Sequence, residues 1–301
     1  MKRYYISGLF FLLCLLARAV GARDSGDTAV FRLGIWADVQ YADSPSKGMR
    51  DFRKSMAKLL ECVEALNEKE VDLMINLGDL TDCSPIDVDT LLLVLNRSCK
   101  KVYHVLGNHD FMKIKDVYPL LKKLEMLDLY YVVELKEWKL VFLDTNDIAK
   151  YSLFRGGNRE EEYYAMIEAI RKENRKNEYS WNGGVGKHQM EWLKIELKKS
   201  MQKGQKVLVF GHHPIYPSSP NNCLNDNELL QVLSLHSCVK AYISGHHHSG
   251  HYGCYKGMHC ITIEGMVESG DKNAFIVLSA FPDELVLKGF GNASSYFLHL
   301  R

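Results

Sequence analysis

The sequence predicts an α/β protein of mixed α+β character, a four-layer αββα sandwich of two mixed β-sheets. Helical and apolar, β-rich stretches alternate through the first third of the chain, whereas short β runs with little helix crowd its end. Alternating βα units argue for a parallel core, and late strands for a second sheet facing the first with helices outside. Five polar signatures each follow an apolar run: Asp38-Val39-Gln40, Gly78-Asp79, Gly107-Asn108-His109-Asp110, Gly211-His212-His213-Pro214 and Gly245-His246-His247-His248. Strands that end this way deliver their side chains to the carboxyl edge of a sheet, where open α/β sheets gather ligands.

In chain order, Phe31 to Ala37 reads as a first strand ending at Asp38. Phe52, Met56, Leu59, Leu60, Val63 and Leu66 recur at i, i+3 and i+4, predicting a helix over 50–69. Val71 to Leu77 is a second strand, 86–96 a helix, and Lys101 to Leu106 a third strand stopping at Gly107. Leu140 to Leu143 follows as a strand that ends in Asp144. Periodicity weakens over 150–186, where charges surround a helix at 159–175, so this stretch is expected to be a lid or substrate-facing insertion. A helix at 187–202, with Met190, Leu193 and Leu197 on one face, leads to strand Lys206 to Phe210. Further strands are predicted at Val239–Ile243, Cys260–Ile263, Ala274–Leu278 and Glu284–Leu287.

The five signatures span residues 38 to 248 with nothing resembling a linker between them, which favours one domain over 23–301. Residues 1–22 read as a cleaved export signal: Lys2 and Arg3, an apolar stretch from Ile6 to Leu16, then small residues at Ala17, Ala19, Gly21 and Ala22. The competing reading is a retained anchor, although the stretch is short for a membrane span. The expected localisation is therefore exported, whether secreted, periplasmic or within a secretory pathway. Seven cysteines follow the signal without a C-x-x-C pair, and both disulfides and buried free thiols fit that pattern. With 38 Lys plus Arg against 37 Asp plus Glu, the chain has no global field to draw in nucleic acid or an anionic membrane.

Taken singly, the polar residues have ordinary explanations. Asp79 after a strand is a turn or capping residue, Asn108 tolerates left-handed backbone, and Gln40 is a surface amide. Together, in order and at strand ends, their carboxylate, amide and imidazole donors suit a dinuclear site for two divalent cations, a common device for attacking phosphate esters. Asp38/Gln40 and His246/His248 lie two apart, and in extended backbone such pairs point the same way and can grip one ion.

The motifs D-x-H, G-D, G-N-H-[DE], [GS]-H-x-P and G-H-x-H resemble those of the calcineurin-like metallophosphoesterases, with Gln40 in place of the first His. The resemblance covers roughly residues 31–290. It implies that Asp38, Gln40, Asp79 and His248 hold one metal, and Asp79, Asn108, His212 and His246 the other, with Asp79 bridging. It also implies that His109 contacts the phosphate and protonates the leaving group. The Asp38-Val39-Gln40-Tyr41-Ala42-Asp43, Trp181-Asn182-Gly183-Gly184 and His213-Pro214-Ile215-Tyr216-Pro217 segments further resemble the manganese-dependent ADP-ribose/CDP-alcohol diphosphatases. A Gln ligand makes the site richer in oxygen, which favours Mn²⁺, with Mg²⁺, Fe²⁺ and Zn²⁺ as alternatives.

The implied reaction is in-line attack of an activated water on a pyrophosphate, releasing a nucleoside monophosphate and a phosphorylated partner, without a covalent enzyme intermediate. Tyr41, Asn182, Tyr216 and His213 are expected to touch the nucleotide-type small-molecule substrate. The rival enzyme reading is a phosphomonoesterase or cyclic-nucleotide phosphodiesterase on the same fold. A metal-bearing binding protein that has lost catalysis is the rival of another class, and it predicts missing ligands.

Overall fold

A computed structural model describes residues 28–82 and 87–301. The predicted export signal and Cys83 lie outside the described residues. The chain opens with β1 (Phe31–Trp36), α1 (Lys54–Glu68), β2 (Leu73–Asn76), α2 (Asp87–Leu95) and β3 (Val102–His104). These form the expected parallel βαβαβ start. Short helices α3 (Asn108–Phe111) and α4 (Tyr118–Lys123) precede an antiparallel hairpin of β4 (Tyr131–Leu135) and β5 (Trp138–Phe142). Then come β6 (Ile148–Ala149), a 3₁₀ turn (Lys150–Arg155), α5 (Arg159–Lys172), β7 (Gly183–Gly184), α6 (Lys187–Lys203), β8 (Lys206–Phe210), α7 (Asp226–Ser234) and β9 (Val239–Ser244). The last strands are β10 (His251–Tyr255), β11 (Met258–Thr262), β12 (Ala274–Ala280), β13 (Glu284–Gly291) and β14 (Tyr296–His299).

The strands make two mixed six-stranded sheets, ordered β14-β13-β12-β1-β2-β3 and β10-β11-β9-β8-β5-β4. Alternation along each strand builds the layers. In β8, Leu208 and Phe210 join Ile35, Ile75, Phe142 and Ile243 in the core between the sheets. Val207 and Val209 point the other way, onto Leu193 and Leu197 of α6 and Leu229 and Leu233 of α7. On the first sheet, Trp36 and Met74 face Leu59, Val63 and Leu66 of α1 and Leu91 of α2. Every such side chain removed from water contributes ~1.5–3 kcal/mol, which is why both strand faces are apolar in the middle of the chain. The αββα layering therefore agrees with the sequence expectation.

Several boundaries differ from that expectation. Helix α1 starts at Lys54 rather than residue 50, and Phe52 is buried in a small cluster with Ala42 and Val267. Met56, expected on the buried stripe, is 37% exposed, and Lys58 takes a buried place by donating to the Met266 carbonyl and the Ser269 hydroxyl. Strands β4, β6, β7, β10 and β14 and helices α3, α4 and α7 carried no prediction. The 150–186 stretch, expected to be a lid or substrate-facing insertion, is anchored to the fold and brings Trp181 to the cavity beside the metal-ligand candidates: α5 packs through Tyr163, Ile167 and Ile170 onto Ile148 and Leu224, and β7 pairs with β6. No helix among the described residues is long and apolar enough to cross a membrane.

Candidate metal centre

All seven ligand candidates lie just beyond strand ends: Asp38 and Gln40 past β1, Asp79 past β2, Asn108 past β3, His212 past β8, and His246 and His248 past β9. Parallel pairing of β1 with β2 and of β2 with β3, and of β8 with β9, puts each sheet's ligand candidates on one edge. The i, i+2 pairs are not extended, however. Asp38 has φ 54°, Gln40 φ 43°, Asp79 φ 53° and His246 φ 67°, so left-handed turns, not strand alternation, aim these side chains. Non-glycine residues adopt this backbone at a cost and cluster at functional sites.

Hydrogen bonds hold the turns in place. The Asp38 N–H donates to the Gly78 carbonyl (3.1 Å), and the Gln40 N–H to the Asp79 carbonyl (2.8 Å). The buried Asp110 carboxylate accepts the N–H groups of Asp79 (2.9 Å), Leu80 (3.0 Å) and Gly107 (2.9 Å), tying the second signature to the third. The His246 N–H donates to the Asp38 carboxylate at 3.0 Å, tying the first to the fifth. Gly107 is required by space: a Cβ there would lie 2.1 Å from Asp79 Oδ1.

Two donor groups result, with Asp79 in both. On one side His248 Nε2 lies 3.4 Å from Asp38 Oδ1, and the Gln40 amide nitrogen is 3.1 Å from Asp79 Oδ2 and 3.3 Å from His248 Nε2. On the other, His212 Nε2 lies 3.2 Å from Asn108 Oδ1, 3.2 Å from His246 Nδ1 and 3.5 Å from Asp79 Oδ2. The outward-facing nitrogen of each imidazole is occupied. His212 Nδ1 donates to the Leu77 carbonyl (2.8 Å), His246 Nε2 to Asn182 Oδ1 (3.1 Å), and His248 Nδ1 faces Glu268 Oε1 at 3.2 Å. Those contacts leave a lone pair on each ring directed at the cluster, the arrangement that metal-ligating histidines require. The buried Gln40 Oε1 has no partner, and the two ends of an amide are interchangeable at such a site. Turned over, its oxygen joins Asp79 and His248 as a third electron-pair donor, so the residues fit two hard cations.

Charge is balanced tightly. Burial pushes the Asp79 carboxyl up, but the imidazoles of His212 and His109 outweigh it and hold the group well below the carboxylate range. Burial disfavours the charged His212, yet Asp79 raises it to about 9; Asp38 likewise raises His248 to about 9 against burial. His246 is driven down, first by burial and then by its neighbours His213 and His212. Glu268 is held down to about 2, first by its bond to His248 and also by Arg50, whose Nε lies 2.9 Å away.

His109 borders a cavity of about 460 Å³ above the cluster, together with Arg50, Trp181, Asn221, His247 and Glu268. Its Nδ1 is 2.8 Å from Asp82 Oδ1 and its Nε2 is 3.9 Å from Asp79 Oδ2, so a carboxylate backs the ring on the side away from the cluster. A cavity of about 570 Å³ elsewhere contains none of the candidate ligands.

The four expected substrate contacts need correction. His213 is fully buried: its Nδ1 meets Thr145 Oγ1 (2.8 Å) and its Nε2 accepts the Gly183 N–H (3.2 Å), and burial presses it down to about 3. Tyr216 lies tilted against Tyr255, with ring centroids 5.4 Å apart, and lines the larger, separate cavity. Tyr41 bridges Thr81 and packs on the helix-side core of the first sheet. Asn182 is buried and supports His246 instead of facing the cavity. Sequence reasoning missed the supporting carboxylates Asp82 and Glu268. Asp82 stands three residues after Asp79, a spacing that marks it in retrospect, whereas Glu268 carries no local signal.

Fold and donor set together define a metal-dependent hydrolase acting at phosphorus. The family model described as calcineurin-like phosphoesterase matches residues 31–250, and the chain belongs to that family. It is 26% identical to a manganese-dependent ADP-ribose/CDP-alcohol diphosphatase of Xenopus laevis, over 90% of this chain and 91% of the relative. The rice (Oryza sativa subsp. japonica) protein of the same name is 29% identical, over 86% and 91% of the two chains. A dimetal phosphatase from Danio rerio superposes with a TM-score of 0.82 at 25% identity, covering 91% of this chain and all of that one.

Proposed function

We propose that this site hydrolyses the pyrophosphate bond of ADP-ribose, CDP-alcohols or related nucleoside diphosphate derivatives, yielding a nucleoside monophosphate and a phosphorylated partner. The carrying observation is the set of three imidazoles whose outer nitrogens are bonded to Leu77, Asn182 and Glu268, leaving their lone pairs beside Asp38, Asp79 and Asn108. The diphosphatase names of relatives along nearly the whole chain support the substrate class, and their manganese dependence supports Mn²⁺.

Asp38, Gln40, Asp79 and His248 would hold one ion, and Asp79, Asn108, His212 and His246 the other. Two bound cations supply neutralisation of the phosphoryl oxygens and activation of a water. Arg50, on the cavity wall, adds a fixed positive charge facing an anionic substrate. His109 presents Nε2 toward the site, with the Asp82 carboxylate 2.8 Å from its far nitrogen, an orientation suited to stabilising or protonating the departing phosphate. Restoring Mn²⁺ to chelator-stripped enzyme tests the reading with ADP-ribose, CDP-choline and p-nitrophenyl phosphate. Mn²⁺-dependent release of AMP and CMP is expected. Turnover of the monoester alone would assign the chain to another branch of the family.

A further inference from the structure

Two aromatic rings stack on one another beside the metal centre, one of them on the wall of its cavity. Tyr179 and Trp181 are each 41% exposed and stack on one another, with ring centroids 4.4 Å apart and planes 15° apart. Trp181 lines the same cavity as His109 and His246. Hydrogen bonds tie down the turn beneath the pair. The Asn182 N–H donates to the Tyr179 carbonyl (3.0 Å), and the Asn182 side chain donates to the carbonyls of Asn177 (2.9 Å) and Pro220 (2.7 Å). Trp181 Nε1 reaches Asn221 Oδ1 at 3.4 Å, which limits rotation of the indole. Because Asn182 also bonds His246, the stacked pair has a fixed position relative to the metal ligands.

We infer that the Tyr179–Trp181 stack is a platform for the nucleobase of the substrate. The inference rests on the diphosphatase reading, since it assigns the base-binding part of that site. Tyr179 covers one face of the indole, and Trp181, 41% exposed on the cavity wall, keeps ring surface open to a flat π-system. A nucleobase covers that surface without needing a particular pattern of hydrogen bonds, so purine and pyrimidine nucleotides both fit. Asn221 and Arg50 on the same cavity wall supply polar groups for the ribose or phosphate.

The test compares Trp181→Ala and Tyr179→Leu with wild type, using ADP-ribose, CDP-choline and inorganic pyrophosphate, which has the scissile bond but no base. Separately, AMP is titrated against Trp fluorescence in wild type and Trp181→Phe. The platform predicts a rise of about tenfold or more in KM for both nucleotides relative to pyrophosphate in Trp181→Ala, and a smaller rise in Tyr179→Leu. It also predicts quenching by AMP that disappears in Trp181→Phe. Equal KM changes for nucleotides and pyrophosphate, unchanged KM values, or undiminished quenching in Trp181→Phe would overturn it. If wild type cleaves neither nucleotide, the diphosphatase reading fails, and the platform is then decided by the AMP titration alone.

Discussion

At the scale of single residues, the centre depends as much on what stands behind the ligands as on the ligands. Glu268 faces His248 Nδ1 and is itself fixed by Arg50, a chain of contacts linking positions 218 residues apart. Removing the carboxylate leaves the His248 ring free to turn its lone pair away from Asp38 and Gln40. Glu268→Ala is therefore expected to weaken Mn²⁺ binding roughly 10- to 100-fold, measured by calorimetry, with an unchanged far-UV CD spectrum. Unaltered affinity would mean that Glu268 merely pairs with Arg50. The ligand candidates themselves were legible in the sequence because each follows an apolar run. Their supporters were not, since Glu268 and Asp110 gain meaning only through partners brought close by folding.

At the scale of elements, β1 and β8 were read almost to their bounds, because long, nearly continuous apolar runs leave little ambiguity, whereas the two-residue buried strands β6 and β7 are too short to show a pattern. Helix α7 went unread: Asp226-Asn227-Glu228 looks like loop until Leu229, Leu230 and Leu233 are seen packed on the second sheet. The turns after the strands hid a second surprise, the left-handed backbone at Asp38, Gln40, Asp79 and His246, which no periodicity reports. Those turns are packed against one another. A Cβ at Gly107 would sit 2.1 Å from Asp79 Oδ1 and 2.4 Å from its backbone nitrogen, so one strand-end turn must move. Gly107→Ala is expected to lower kcat/KM about 100-fold through displacement of Asp79 and Asn108, with the folded state retained. Wild-type kinetics in this variant would show that the turns can shift without disturbing the ligands.

At the scale of the whole molecule, the buried His104 imidazole is expected to make the fold less stable in acid. Burial holds the His104 imidazole down to about 3, against its ordinary 6.5. Above pH 6.5 the ring is neutral in folded and unfolded chains alike, so its contribution is intact. As pH falls from 6.5 toward 3, the unfolded chain takes up a proton that the folded chain refuses, and stability is progressively lost. His104→Gln is expected to flatten the fall in urea-unfolding free energy below pH 6.5, by up to about 1.4 kcal/mol per pH unit. Identical slopes would place the acid sensitivity in other groups. Export of the chain remains a proposal, and Edman sequencing of secreted protein is expected to find cleavage near Gly21 or Ala22. The six described cysteines are free thiols, four of them buried.

Seven side chains from five strand ends are proposed to hold two cations around Asp79. A crystal structure of Mn²⁺-loaded protein, with anomalous scattering recorded at the manganese edge, tests it most directly. Two peaks about 3.5–4 Å apart are predicted, with Asp79 between them and the Gln40 oxygen on the ion shared with Asp38 and His248. A single peak, or ions bound without Asp79, would contradict the account.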